Sequence, residues 1–182
     1  LICTGSVQMR TERLLLRPFR LDDAASMFEW AGDKRVTEYM TWSTHTSIED
    51  SKAVINEWQK GYADKSLHNW AIEELATGKV IGSIGIIIID KSKGIVKIGY
   101  SLSYAYWGQG IMTEAAKKVI EHCFFNMGVK SIYAEHIEEN TKSGRVMQKA
   151  GMQYEYKVAW GERDNQGRLR DILRYVINKE AL

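Results

Sequence analysis

Residues 95–116, IVKIGYSLSYAYWGQGIMTEAA, constrain the fold most, because an alternating strand runs through a glycine-bearing turn straight into a helix. Val96, Ile98, Tyr100 and Leu102 alternate with Lys97, Gly99, Ser101 and Ser103, the period of a strand with one buried face. The period then changes. Met112, Ala116, Val119, Cys123 and Met127 recur at helical spacing, which predicts a helix from near Gly110 to a left-handed stop at Gly128. The first turn of such a helix carries unpaired backbone N–H groups and the positive end of the helix dipole, and Gly108 and Gly110 have no β-carbon to hold a ligand off. That combination suits a phosphate. The local residues also allow a plain strand-to-helix connection that uses glycine for its geometry. A dinucleotide fingerprint would need glycine at Thr113, and a P-loop would need Gly-Lys-Ser/Thr after four spaced residues, so neither fits.

Around this unit the chain reads as a mixed sheet. Residues 13–19 form a first strand with Pro18 marking its end or an edge position, and a helix begins at Asp22 or its neighbour and stops at Gly32. From 33 to 46 the pattern fails, in a segment that holds Tyr39, Met40, Trp42 and His45; these aromatics either line a pocket or seal the core beneath a loop. Ser47, followed by Glu49 and Asp50, caps a helix through Trp58. Residues 69–75 and 80–89 make a hairpin, and the isoleucines of its second strand predict burial on both faces. A further hairpin leads into the strand at Ile95. Two hairpins before the glycine turn argue against a doubly wound parallel sheet. Residues 131–136 return parallel to that strand, Asn140 caps a short helix ending at Gly151, and residues 153–161 and 168–178 close the chain as a hairpin.

The 182 residues suit one domain, over 9–182. Residues 1–8 lack the patterning of the rest and are set outside the fold as a non-native or disordered leader before Met9. A formal charge of +2 offers no strong field for nucleic acid or an acidic membrane. The longest apolar run, 84–89, is too short to cross a bilayer and no signal-like leader precedes it, so a cytoplasmic location is expected. Cys3 and Cys123 make neither a disulfide framework nor a zinc site, and the four histidines have no ligand spacing, so no metal is expected.

The turn YWGQGIMTEA resembles the acyl-CoA loop of the GNAT superfamily of N-acetyltransferases, in the form of its RimJ/RimL-like branch. The general pattern there is Q/R-x-x-G-x-G/A. Trp107 holds its first position, Gly110 its fixed glycine, and Met112 stands where the family carries a small residue. A second segment, ENTKSGRVMQKAGM, resembles the family's N-x-x-S-x-R-V-L-x-x-x-G-F, and the likeness extends over nearly everything from Thr11 onward. It implies an α+β fold of GNAT type, a mixed α/β sheet of about seven strands splayed in the middle and flanked by about four helices. It also implies acetyl-CoA as co-substrate and direct transfer of an acetyl group to a primary amine, either a protein N-terminal α-amine or a small-molecule amine. A non-catalytic CoA-responsive binding module on the same fold is the alternative.

The resemblance assigns the parts of the site. Amides of Gly108, Gln109, Gly110, Ile111, Met112 and Thr113 would hold the pyrophosphate beside Trp107. Tyr100, Ser101 and Leu102 would lie along the pantetheine arm, with Asn140 bonded to it. A free amide where the strands splay would polarise the thioester carbonyl. The leaving thiolate has a pKa near ~8.5, so a hydroxyl donor eases its departure. Ser143 is the candidate, unless it only finishes the first turn of its helix, with Tyr133 next. At pH 7 roughly one α-amine in seven is unprotonated against roughly one lysine in a few thousand, so a base matters more for lysine. Glu162 is the candidate base, unless it is a solvated surface carboxylate, and Glu73, Glu135 and His136 are its rivals. Tyr39, Trp42 and Trp160 would contact the acceptor by cation–π interaction or exclude water. A ribosomal or other protein N-terminus is among the acceptors implied, no nucleic acid or membrane partner is, and a homodimer through a sheet edge or helix is compatible.

Overall fold

The computed structural model describes residues 1–181. Its strands are β1 (Met9–Arg10), β2 (Leu14–Arg17), β3 (His68–Glu74), β4 (Val80–Asp90), β5 (Ile95–Leu102), β6 (Ser131–Ile137), β7 (Gln153–Arg163) and β8 (Leu169–Asn178). They form one sheet in the order β1-β2-β3-β4-β5-β6-β8-β7. The helices are α1 (Ala24–Ala31), α2 (Lys34–Thr37), α3 (Ile48–Ala63), α4 (Ile111–Phe125) and α5 (Thr141–Lys149). Every neighbouring pair is antiparallel except β5 and β6, which α4 joins as a parallel crossover. The strand beyond the expected seven is β1, at two residues too short to show a period. The helix beyond the expected four is α2, one turn long, capped by Asp33 accepting from the Arg35 amide.

The alternation in β4 and β5 divides two apolar layers. Ile84, Ile86, Val96, Ile98 and Leu102 pack on one face with Val119, Cys123 and Phe124 of α4. On the other face Met27, Trp30, Ile55 and Ala71 pack with Phe19 beneath α1 and α3. A fully buried side chain of this size contributes about 1.5–3 kcal/mol. The expectation that the isoleucines of β4 are buried on both faces is not met, because Ile87 and Ile89 are 65% and 51% exposed. The helix layer leaves that face uncovered from Ile87 onward.

Residues 1–8 do not stand outside the fold. The Ile2 amide donates to Met127 O at 2.8 Å, Gly5 N to His68 Nε2 at 3.2 Å, Ser6 Oγ to Leu67 O at 3.0 Å, and Trp70 Nε1 to Val7 O at 2.7 Å. The partners are groups on β3 and beyond the end of α4, and an unpatterned stretch gives no sign of such docking. Among the described residues there is no helix long and apolar enough to cross a membrane.

Burial lowers the pKa of His45, His68, His122 and His136 from the ordinary 6.5. Below that value the unfolded chain takes up protons that the folded chain refuses. The contribution to stability is therefore complete above pH 6.5 and is lost as pH falls, at a limiting slope of about 1.4 kcal/mol per pH unit for each histidine. Urea midpoints measured from about pH 7.5 down to about pH 5 should decline. A flat midpoint would overturn this account.

Candidate functional site

The parallel pairing of β5 and β6 covers only Ile95 with Ser131, Val96 with Ile132 and Lys97 with Tyr133. Beyond Lys97 the strands part, while β5 continues along β4 to Leu102 and β6 along β8 to Ile137. Two clefts meet at this wedge. One, of about 780 Å³, runs past Trp107, Gly108, Gly110 and Lys142; the other, of about 690 Å³, lies under α1 and α3 beside Met27, Trp42, Trp58 and Glu162. Tyr39, Met40, Tyr100, Ser101, Asn140 and Ser143 line both.

The glycine turn is built to present its backbone. Gly108 and Gly110 have φ of 74° and 75°, in the left-handed region that other residues adopt under strain. A β-carbon on Gly108 would meet nothing within 4 Å, so that residue faces the open cleft. The first amide that α4 pairs is that of Glu114, on Gly110 O at 3.0 Å, and the amides before it have no carbonyl within the helix to reach. Side chains fix the turn from behind. Trp107 Nε1 donates to Leu102 O at 2.8 Å, Gln109 Nε2 to Ala105 O at 2.8 Å, and Arg13 donates both to Gln109 O and to Glu114, at 3.0 and 2.7 Å. Met112 is 4% exposed and packs in the core beneath α4, which accommodates a long side chain where the resembling pattern has a small one. Lys142 Nζ, 4.5 Å from the centre of the Trp107 ring, adds positive charge at the cleft.

At the junction, Ser143 Oγ donates to Tyr100 Oη at 3.1 Å and Tyr100 Oη donates to Ser143 O at 3.0 Å. Asn140 supplies the cap of α5, accepting from the Ser143 amide at 3.4 Å, so the serine hydroxyl is directed at Tyr100 rather than at the helix. Burial pushes the Tyr100 hydroxyl above its ordinary value, against the opposing effect of the Ser143 bond, and keeps it a neutral donor. Tyr133, the tyrosine expected next to Ser143, lines neither cleft and lies under Arg174 at 3.8 Å. Tyr100 takes that place.

The carboxylates separate by engagement. Glu73 is bonded to buried Arg17 at 2.6 Å and lines neither cleft. Glu135 is held by Lys97 at 2.7 Å and Arg174 at 3.0 Å. Glu162, in the second cleft, has Lys97 Nζ at 4.0 Å and is the freer of the two carboxylates there. His136 donates from Nδ1 to Ile137 O at 2.8 Å. Its Nε2 is buried with no partner among the described residues, and the ring lines the second cleft. A β-carbon at position 144 would lie 2.7 Å from that nitrogen, so glycine there leaves the ring its space. No group of three or more His, Cys, Asp or Glu among the described residues could hold a metal ion.

Tyr39 and Trp42 line the second cleft, but Trp160 lines neither and is 69% exposed. A register shift between Val158 and Glu162 gives Trp160 a φ of 56° and turns it outward, with its amide bonded to Asp171 Oδ1 at 2.9 Å. Asn165, in the connection between the last two strands, latches the hairpin tip to the aromatic loop. Its Nδ2 donates to Thr37 O at 3.0 Å and Trp42 O at 3.3 Å, and its amide to Met40 O at 3.0 Å. Buried Asp164 anchors the tip. Burial alone would raise its carboxyl, but bonds from the Arg168 amide and guanidinium, the Gln166 amide and Arg170 outweigh that and hold it at about 2.

A family model described as an acetyltransferase (GNAT) domain matches residues 13–153. The uncharacterized N-acetyltransferase p20 of Bacillus licheniformis is 30% identical over 174 residues, 93% of this chain and 94% of that protein. Mycobacterium smegmatis RimJ, solved in complex with CoA-disulfide, superposes with a TM-score of 0.81 at 23% identity, over 93% of this chain and 83% of that one. A ribosomal-protein-S5-alanine acetyltransferase from Vibrio fischeri gives a TM-score of 0.83 at 20% identity, over 96% and 98%.

Removing two hydrogen bonds of about 1 kcal/mol each should release the aromatic loop. In Asn165→Ala, hydrogen exchange at the Met40 and His45 amides is expected to quicken about tenfold or more while the α4 amides hold. Unchanged exchange in that loop would show that Asn165 does not restrain it.

Proposed function

The chain belongs to the acetyltransferase (GNAT) family, and on that premise we propose that it moves the acetyl group of acetyl-CoA directly to a primary amine. The carrying observation is the meeting of the two clefts at Tyr100 and Ser143, with unpaired amides along one and, on the other, the Glu162 carboxylate held only loosely by Lys97 at 4.0 Å. The residues present fit the co-substrate. The left-handed glycines leave open space where β-carbons would crowd a pyrophosphate, and the wedge between β5 and β6 leaves strand edge for a pantetheine arm. Asn140 Nδ2 is available to that arm, because only the carboxamide oxygen serves the cap.

An amine arrives as ammonium and loses one proton, which Glu162 accepts, before its nitrogen attacks the thioester carbon. The C–N bond forms as the C–S bond breaks. Ser143 Oγ gives its proton to the leaving sulfur and is restored by the second proton that nitrogen sheds, while Glu162 passes the first to solvent, so that a single proton is released overall. The Ser143 hydroxyl has to turn from Tyr100 Oη toward sulfur, a rotation about one side-chain bond. Neutral Tyr100 keeps the serine in place and, uncharged, does not compete with the amine for the acetyl group.

Gly110→Asp would set a negative charge against the pyrophosphate and is expected to weaken CoA binding by calorimetry at least about tenfold, with the fold intact. Unchanged affinity would misplace the donor site. Ser143→Ala is expected to lower turnover by about 10²- to 10⁴-fold while acetyl-CoA affinity stays within about twofold. A loss below about threefold with chemistry rate-limiting would remove Ser143 from the proton path. CoA binding without thiol release across a panel of amines would identify a binding module instead.

A further inference from the structure

The second cleft has a floor with a piece missing. Gly85 of β4 and Gly99 of β5 are directly paired, on the sheet face that also carries Ser83, Ile87, Lys97 and Ser101. The two glycines differ in what the fold demands of them. A β-carbon on Gly85 would lie 2.8 Å from Asn69 Oδ1, so glycine there serves close packing. One on Gly99 would meet nothing within 4 Å, and Gly99 is not among the positive-φ glycines. Glycine in a strand costs stability for lack of a packed side chain. At position 99 no backbone or packing requirement offsets that cost; what it keeps is empty volume in the cleft.

The chamber above this floor is suited to a flat apolar group. Its walls are Met27, Met40, Trp42 and Trp58, and its floor at the glycine pair is bare peptide backbone. At about 690 Å³ it lies within the roughly 300–1,000 Å³ of small-ligand sites. Of the two carboxylates that line it, Glu135 is taken by Lys97 and Arg174, which leaves loosely held Glu162 to meet a cation, so an occupant carrying several positive charges would find acid for only one of them. A polypeptide is poorly served. Bound extended peptides take backbone hydrogen bonds from a strand edge, and on this floor β4 and β5 already pair with each other from Gly82–Leu102 to Ile88–Val96. The Asn165 latch closes the side where the aromatic loop meets the β7–β8 hairpin.

We propose that the acceptor is a small ring-bearing primary amine, its ring over the Gly85–Gly99 floor between Trp42 and Trp58 and its nitrogen directed toward Glu162. This rests on the acetyl-transfer reading for its chemistry but not for its binding. Gly99 is then the residue that sets how large a ring the chamber admits.

The test uses the full chain saturated with CoA, tryptamine as the ring-bearing probe, and a hexapeptide with a free N-terminal alanine as the polypeptide probe. Calorimetry is expected to show saturable tryptamine binding that Gly99→Val weakens at least about tenfold and Gly99→Ala by less. CoA affinity should stay within about twofold, and the urea midpoint of Gly99→Val should equal or exceed the parent's. Absence of saturable tryptamine binding, equal binding by parent and Gly99→Val, or tighter binding of the hexapeptide would each overturn the proposal. Thiol release, measured in parallel with acetyl-CoA, separates the two readings. Tryptamine bound in the expected pattern but never acetylated leaves the chamber standing and removes the transfer reading. A hexapeptide acetylated while tryptamine neither binds nor reacts does the reverse.

Discussion

The separation of β5 from β6 after three residue pairs is the constraint from which the rest of the site follows. Paired strands satisfy their backbone donors and acceptors through each other, and an unpaired buried amide costs free energy comparable to a lost hydrogen bond. Here the sheet opens in its interior. From Ile98 onward β5 is paired only toward β4, and from Ala134 onward β6 only toward β8. A gap between two half-paired strands is a place for an extended molecule with amide groups of its own, which is how added strands bind elsewhere. The neighbouring parts serve that gap. The crossover through α4 brings the glycine turn to one end of it, and α5 brings Ser143 to its side, where Tyr100 of β5 bonds it.

The acid end of the second cleft works by distribution of partners rather than by net charge. Glu135 and Glu162 face Lys97 and Arg174, so the four formal charges cancel. Partly exposed ion pairs of this kind are worth little to stability, typically about 0–1 kcal/mol. Their value is positional. Arg174 lies over the Tyr133 ring and bonds one oxygen of Glu135, and Lys97 takes the other. Glu135 is thereby committed, whereas the one cation that approaches Glu162 among the described residues is Lys97, at 4.0 Å.

The glycine-turn cleft was legible in the sequence because most of it is local. Residues 100–113 and 139–149 carry most of its lining, and period, glycine placement and the Asn140 cap each act within a few residues. The acceptor side is assembled from distant segments. Asn165 reaches Thr37 across 128 positions and Trp42 across 123, and no short-range pattern reports such a contact. Trp160 misled for a related reason. A regular strand would set Trp160 opposite Arg170, whereas the shift between Val158 and Glu162 puts Glu162 there and leaves Trp160 out of the ladder. Tyr100 was placed on the correct strand and face, but alternation gives a side chain's side and not its partner. The docking of residues 1–8 depends on lone acceptors such as His68 Nε2 and Leu67 O, which hydrophobic pattern does not encode.

This difference in locality has a consequence for how the two halves of the site can vary. The glycine turn is fixed by backbone conformation and by a mesh of bonds from Thr11, Arg13 and Glu114, so most substitutions there disturb the backbone itself. The aromatic chamber is fixed at its boundary, by the Asn165 latch and the buried Asp164 anchor, while its walls are separate side chains on α1, α3 and the 38–46 loop. Replacing one wall changes the shape offered to an acceptor without altering the path of the chain. Tyr100 and Ser143 belong to both clefts, and their mutual hydrogen bonds hold the junction in place independently of those walls. The shape of the chamber can therefore change by side-chain substitution within this fold while the glycine turn stays in place.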